Sequence, residues 1–189
     1  MSRILSFLFL LVLPTAAVFA LAETPPDSIY QLKLDLVNQD GKGFALADRA
    51  GKAQLVSMFY TSCPFVCPLV IDTMKRTQNE LAPAERARLD VLLVSFDPAR
   101  DTPARLRETF DQRKLDAASW TLARTDERGV RKLAAVLGVQ YRELEKGEIN
   151  HSVALVLLDA QGHIVAQTDK YGAIDPDFVA SIHKALAKR

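Results

Sequence analysis

Cysteine is scarce in this chain. Two occur among 189 residues, at positions 63 and 67, so the multi-bridge framework that holds small secreted scaffolds together is excluded and whatever the pair does is local. Charge of one sign is also missing. The 24 Lys and Arg against 23 Asp and Glu leave +1, which supplies no field for a phosphate backbone, and nucleic acid is not an expected partner. There is no internal repeat, no low-complexity tract and no interior linker. Glycine numbers only 8, and the set at 41, 43 and 51 fails as a phosphate loop. Ala53 follows Lys52 where a hydroxyl residue is needed, and Leu46 stands where the first glycine belongs. What remains, 49% hydrophobic and 25% charged, is the composition of one ordinary globular domain with an appendage.

The appendage is at the start. Arg3 precedes an apolar run from Ile4 to Leu13, then come Pro14 and small residues ending in Ala20-Leu21-Ala22. That is the order of a secretory signal peptide over residues 1–22, with cleavage after Ala22. The alternative is an uncleaved anchor, since Ile4 to Ala22 is interrupted only by Ser6, Pro14 and Thr15. No cysteine follows the segment, so lipid attachment there is excluded. Losing Arg3 takes the basic count from 24 to 23 against 23 acidic residues. A neutral chain is not drawn to anionic lipid, so membrane contact is expected only with a retained leader. The implied compartment is the periplasm or its equivalent.

Alternation of apolar and polar residues predicts a strand over Tyr30–Val37, followed by the turn cluster NQDGKG. The continuous apolar runs Ala53–Tyr60 and Leu89–Phe96 predict buried central strands. Val70, Met74, Thr77 and Leu81 fall on helical spacing from Pro68 onward, up to Pro83. A second helix starts at Pro103 with Thr102 or Asp101 as its cap, and a third contains Val130, Leu133, Ala134 and Leu137 and closes at Gly138. Ser152–Thr168 reads as an antiparallel hairpin, and Ile174, Phe178, Ile182 and Leu186 as an amphipathic last helix. The order predicts an α/β domain over residues 27–189: a thioredoxin-like mixed sheet with helices on both faces and a late antiparallel hairpin.

The chemistry concentrates in Tyr60-Thr61-Ser62-Cys63-Pro64-Phe65-Val66-Cys67-Pro68, between a strand and the start of a helix. Free N–H groups and the positive end of a helix dipole stabilise an anion there, so a thiol should be acidic and either reactive or able to bind metal. Four residues of helix place the sulfurs on one face, within reach of a disulfide after modest adjustment. Two thiolates suit Cu(I), and an added imidazole suits Cu(II), whereas zinc asks for a fourth ligand. A structural disulfide or two inert thiols is the plainer alternative. Of the histidines, His163 in the AQGH turn and His183 on the last helix read as solvent-exposed, His183 favoured by the helix C-terminal dipole. His151 opens the strand SVALVLLD, where a polar residue is either punctuation or a ligand. Asn150-His151-Ser152 matches a glycosylation sequon, which means little at a buried strand start.

LVSMFYTSCPFVCPL, VSFDPARDTP and NHSVALVLLDAQG together resemble the SCO/SenC family of thioredoxin-like copper proteins, over nearly all of the domain. The resemblance implies that Cys63 and Cys67 are thiolate ligands and a redox pair, and that His151 is the third copper ligand. It also implies a monomeric copper-binding metallochaperone, whose partner is a copper-accepting respiratory protein such as a cytochrome c oxidase subunit. A thiol–disulfide oxidoreductase using the same two cysteines is the alternative, and the enzyme question stays open. A peroxidase is weaker, since no residue marks itself as a peroxide-polarising arginine. Many relatives carry Asp where this chain has Phe65 and Asn150, so the surround of the centre is less acidic here. Asp97 and Asp101 read as a turn residue and a helix cap.

Overall fold

A computed structural model describes residues 25–187; the leader expected over residues 1–22 lies outside the described residues. The Tyr30–Val37 expectation splits. Ile29–Gln31 forms a 3-10 turn capped by Ser28, and the strand proper is β1 (Asp35–Asn38), turning back into β2 (Gly43–Ala45). The turn works because the Asn38 side chain accepts the N–H groups of Asp40 and Lys42, and Gly41 takes φ 74°. Then follow β3 (Ala53–Phe59), α1 (Val66–Asn79), α2 (Pro83–Arg86) and β4 (Leu89–Ser95). The second half holds α3 (Pro103–Gln112), β5 (Trp120–Arg124), α4 (Glu127–Val136), β6 (Tyr141–Glu143), β7 (Ile149–His151), β8 (Leu155–Leu158), β9 (Ile164–Thr168) and α5 (Pro176–Ala187).

Seven strands make one mixed sheet in the order β2-β1-β5-β4-β3-β8-β9. The strands β3, β4 and β5 are parallel, while β8 runs antiparallel to β3 and β1 antiparallel to β5. All seven residues of β3 are buried, as are Val91–Ser95 of β4, which is why these segments read as unbroken apolar runs. Removing one such side chain, as in Leu93→Ala, would cost about 2–5 kcal/mol. Helices cover both faces. The crossovers α1 and α3 lie side by side, with Lys75 donating to the carbonyl of Arg113. On the opposite face α4 comes close to β1: a Cβ on Gly129 would meet Leu34 and Thr125 at 2.4 Å.

Three pieces were not expected. The short helix α2 opens at Pro83, where the preceding helical pattern ends. β5, with Trp120 buried and bonded through its indole N–H to Gln78, completes the parallel set. β6 and β7 form a separate two-stranded hairpin, which displaces His151 from its expected place. His151 ends β7 opposite Tyr141, and the long strand starts four residues later at Leu155. Asn150 is accordingly exposed rather than at a buried strand start.

Candidate metal centre

The cysteine turn leaves the C-terminal end of β3, which lies between β4 and β8 in the sheet. Cys63 N–H returns to the Tyr60 carbonyl at 3.3 Å, and α1 starts at Val66 with Phe65 as its cap. Phe65 offers no capping oxygen. The sulfur of Cys63 takes that place, accepting the Cys67 N–H at 3.3 Å, and Pro68, next in the first turn, has no N–H to satisfy. Cys63 is half-buried and Cys67 buried, and neither is in a disulfide.

Cys63 is held well below the ordinary thiol range. The largest cause is the hydrogen bond from the Cys67 thiol; burial opposes it, and the N–H groups of Cys67 and Phe65 add to it. Cys67 is pushed the other way, first because its S–H is committed to Cys63 and then by burial. The pair is therefore asymmetric: Cys63 is the sulfur that gives up its proton first, and Cys67 the one that keeps it.

His151 reaches this pair from the hairpin. Its Nε2 lies 3.8 Å from Cys67 Sγ, and its Nδ1 lies 3.0 Å from the Ser152 carbonyl oxygen. A carbonyl only accepts, so Nδ1 carries the proton and the lone pair of Nε2 points to the sulfurs, the tautomer a metal ligand needs. Phe96 packs against the imidazole at 4.8 Å between centroids, and Tyr60 meets it edge-on at 6.0 Å. The three ligand atoms lie within 4.8 Å of one another. Two sulfurs and one nitrogen fit a soft cation of low coordination number and leave zinc one ligand short.

The other histidines do not join the group, and neither is the free surface residue expected. His163 is partly buried between Asp159 at 2.9 Å and Asp27 at 3.2 Å. His183 is half-buried, and its Nδ1 lies 2.6 Å from Glu85 of α2, a carboxylate partner in place of the expected helix dipole.

Asp101 is also corrected. Thr102 caps α3 by accepting the Arg105 N–H, which leaves the Asp101 carboxylate for another task. It is fully buried and accepts the Thr61 N–H at 3.0 Å, the Thr61 hydroxyl at 2.5 Å and the Ser95 hydroxyl. It therefore ties the end of β4 to the residue two before Cys63. Asp97 is a turn residue as expected, and it also binds the Arg100 guanidinium. The sequence held one sign of this: two adjacent capping residues are one more than a helix uses.

Beside the ligands runs a groove of about 240 Å³ whose walls include Phe65, Val66, Leu144 and Glu148, with Cys63 and His151 in its lining. Phe65 is 77% exposed and Leu69, one turn along, 45%. An apolar edge therefore stands beside the cysteine turn.

The SCO1/SenC family model matches residues 22–187. A candidate copper-binding protein of Stutzerimonas stutzeri is 26% identical over 136 residues, which are 70% of this chain and 65% of that one. The chain thus spans just under two thirds of that relative's length. A SCO1/SenC family lipoprotein from Bacillus anthracis has a TM-score of 0.73 at 23% identity, covering 83% of this chain and 97% of that one. Yeast Sco1, solved with copper bound, has a TM-score of 0.69 at 22% identity, covering 82% and 87%. At these identities the two solved structures speak for the thioredoxin-like fold. With the family match running through nearly the whole domain, the chain belongs to the SCO1/SenC family.

Proposed function

We propose that this protein is an exported copper carrier that holds one ion on Cys63, Cys67 and His151 and passes it to an acceptor by ligand exchange. The observation that carries the proposal is the convergence of two sulfurs and one correctly protonated imidazole within 4.8 Å. Copper on the yeast relative supports the choice of ion. Cu(I) is suited by the two thiolates, so loading displaces the proton of Cys67. Cu(II) calls on Nε2 of His151 as well. Cys63, the more accessible sulfur, is the one an incoming ligand displaces first, across the edge formed by Phe65. The acceptor is a respiratory copper protein such as an oxidase subunit, on the strength of the family resemblance. The work is done outside the cytoplasm. Among the described residues no helix is long and apolar enough to cross a membrane.

A second function has one specific observation in its favour. A half-buried thiolate next to a buried thiol is the asymmetry of a dithiol reductant. Cys63 would attack a partner disulfide, and Cys67, losing its proton, would resolve the mixed disulfide, leaving the partner reduced and the pair oxidised. Anaerobic copper loading followed by desalting separates the two. One copper retained per chain is expected. No retained copper together with rapid reduction of a disulfide substrate would make the protein an oxidoreductase.

A further inference from the structure

The hairpin that carries His151 is not part of the main sheet; it is an excursion between α4 and β8. Its strands are held by packing: Ile149 is buried and gives its N–H to the Tyr60 hydroxyl, and Tyr141 lies on Phe96 at 5.3 Å. Its tip is held differently. The carbonyl of Gly147 accepts a hydrogen bond from Arg100 Nη2. Arg100 is in turn oriented by Asp97, which accepts both its Nε–H and its backbone N–H. Asp97 itself is buried, with its own N–H on the Ser95 hydroxyl. Gly147 takes φ 76°, and a Cβ there would fall 2.1 Å from Arg100 Nη1, so the guanidinium lies directly against the tip backbone. Next in sequence, Asp101 holds the turn that carries Cys63. Five consecutive residues, 97–101, therefore grip both ligand-bearing segments.

We propose that Arg100, oriented by Asp97, is a positioning residue for His151. It fixes where the hairpin stands relative to the cysteine turn, and so where the imidazole stands relative to the sulfurs. The proposal rests on reading Cys63, Cys67 and His151 as a metal centre, but the grip itself is a property of the metal-free protein and can be measured there. Arg100 is about half exposed and Asp97, although buried, keeps the N–H of residue 100, so the loss of the guanidinium should lower the global unfolding midpoint only modestly.

The test compares wild type, Arg100→Ala and Arg100→Lys. In the reduced, metal-free protein, hydrogen exchange is followed at the amides of Leu144 and Ser152, which are bonded across the hairpin to Glu148 and Gln140, and at that of Ile149, with β3 and β4 as internal reference. In the copper-loaded protein, Cu(I) stoichiometry is measured alongside Cu(II) affinity and the imidazole nitrogen hyperfine signal. Arg100→Ala should speed hairpin exchange by about fivefold without changing the reference strands, in keeping with loss of one exposed charge-assisted contact. It should weaken Cu(II) by about tenfold, the lower end for partners of a ligand, and diminish the nitrogen signal while Cu(I) stoichiometry holds. Lysine reaches one acceptor without the fork and should restore part of the protection. Unchanged hairpin exchange in Arg100→Ala, or exchange rising equally in the reference strands, would overturn the proposal. Should wild type bind no copper, the metal centre fails as a reading, and the exchange comparison still decides the grip.

Discussion

Cys67 Sγ and His151 Nε2 stand 3.8 Å apart although 84 residues separate them in the chain. Two independent devices produce that distance. The sulfur is placed by the first turn of α1, and the imidazole by a hairpin whose next carbonyl, that of Ser152, fixes the ring's tautomer. The orientation of the nitrogen lone pair is thus local to the hairpin, while its distance from sulfur depends on how the hairpin docks.

The two thiols should titrate far apart. Cys63, lowered in the fold, binds fewer protons than its unfolded counterpart below about pH 8.5, the ordinary thiol value. Its contribution to stability is complete above that pH and is lost as pH falls toward its lowered value. Cys67, raised in the fold, has the opposite effect at higher pH, where the unfolded chain ionises and the folded one does not. The difference in unfolding midpoint between reduced wild type and Cys63→Ser should therefore widen from acid to about pH 8. Alkylation should label Cys63 at neutral pH and leave Cys67 largely unmodified. A mapped adduct on Cys67 alone would contradict this assignment.

Asp101→Ala should be costly although the residue lies outside the ligand set. It deprives the Thr61 N–H, the Thr61 hydroxyl and the Ser95 hydroxyl of their acceptor. Buried donors left unpaired cost about 1–3 kcal/mol each, with partial relief from water near Thr61, so a loss of about 3 kcal/mol is expected in denaturant titration. Asp101→Asn, which keeps an acceptor oxygen, should lose less.

Phe65→Asp tests whether charge near the centre limits the hold on Cu(II). The side chain is largely in solvent, where one added charge contributes about 1 kcal/mol or less, a few-fold in affinity. Competition with a chelator should show tighter Cu(II) binding by about twofold to fivefold, diminishing with salt. An unchanged affinity would discard charge as the consequence of this departure from the family.

His163 is held above the usual imidazole range, first by its hydrogen bond to Asp159, against desolvation, and then by the charges of Asp159 and Asp27. A raised folded value means that its stabilising effect is complete below about pH 6.5 and disappears as pH rises through the folded value. Asp159→Asn should bring the His163 resonances back toward an ordinary titration. Because Asp27 lies two residues before Ile29, exchange at Ile29, bonded to Gly162, should quicken as His163 loses its proton.

The central strands were open to sequence reading because both of their faces are buried, which leaves an unbroken apolar run. β5 escaped notice because its WTLAR carries Arg124 and only five residues. The hairpin of β6 and β7 was harder still: three-residue strands in YRE and INH have no room for periodicity, so His151 attached itself to the longer apolar run after it. The ligand trio was identified by family resemblance more than by pattern, since nothing in the order of residues dictates that position 151 folds back onto position 67. Asp101 was misassigned for a related reason. An acid before a helix looks like a cap, and only tertiary contacts reveal that Thr102 does the capping while Asp101 braces the cysteine turn.

X-ray absorption at the copper edge, on protein loaded anaerobically with one equivalent, tests the central claim most directly. The arrangement of Cys63, Cys67 and His151 predicts two sulfur scatterers in the Cu(I) form and two sulfurs plus one imidazole nitrogen after oxidation. His151→Ala should remove only the nitrogen, and Cys63→Ala with Cys67→Ala should remove all specific copper. A copper shell of oxygen and nitrogen without sulfur, or an imidazole signal that survives His151→Ala, would contradict it.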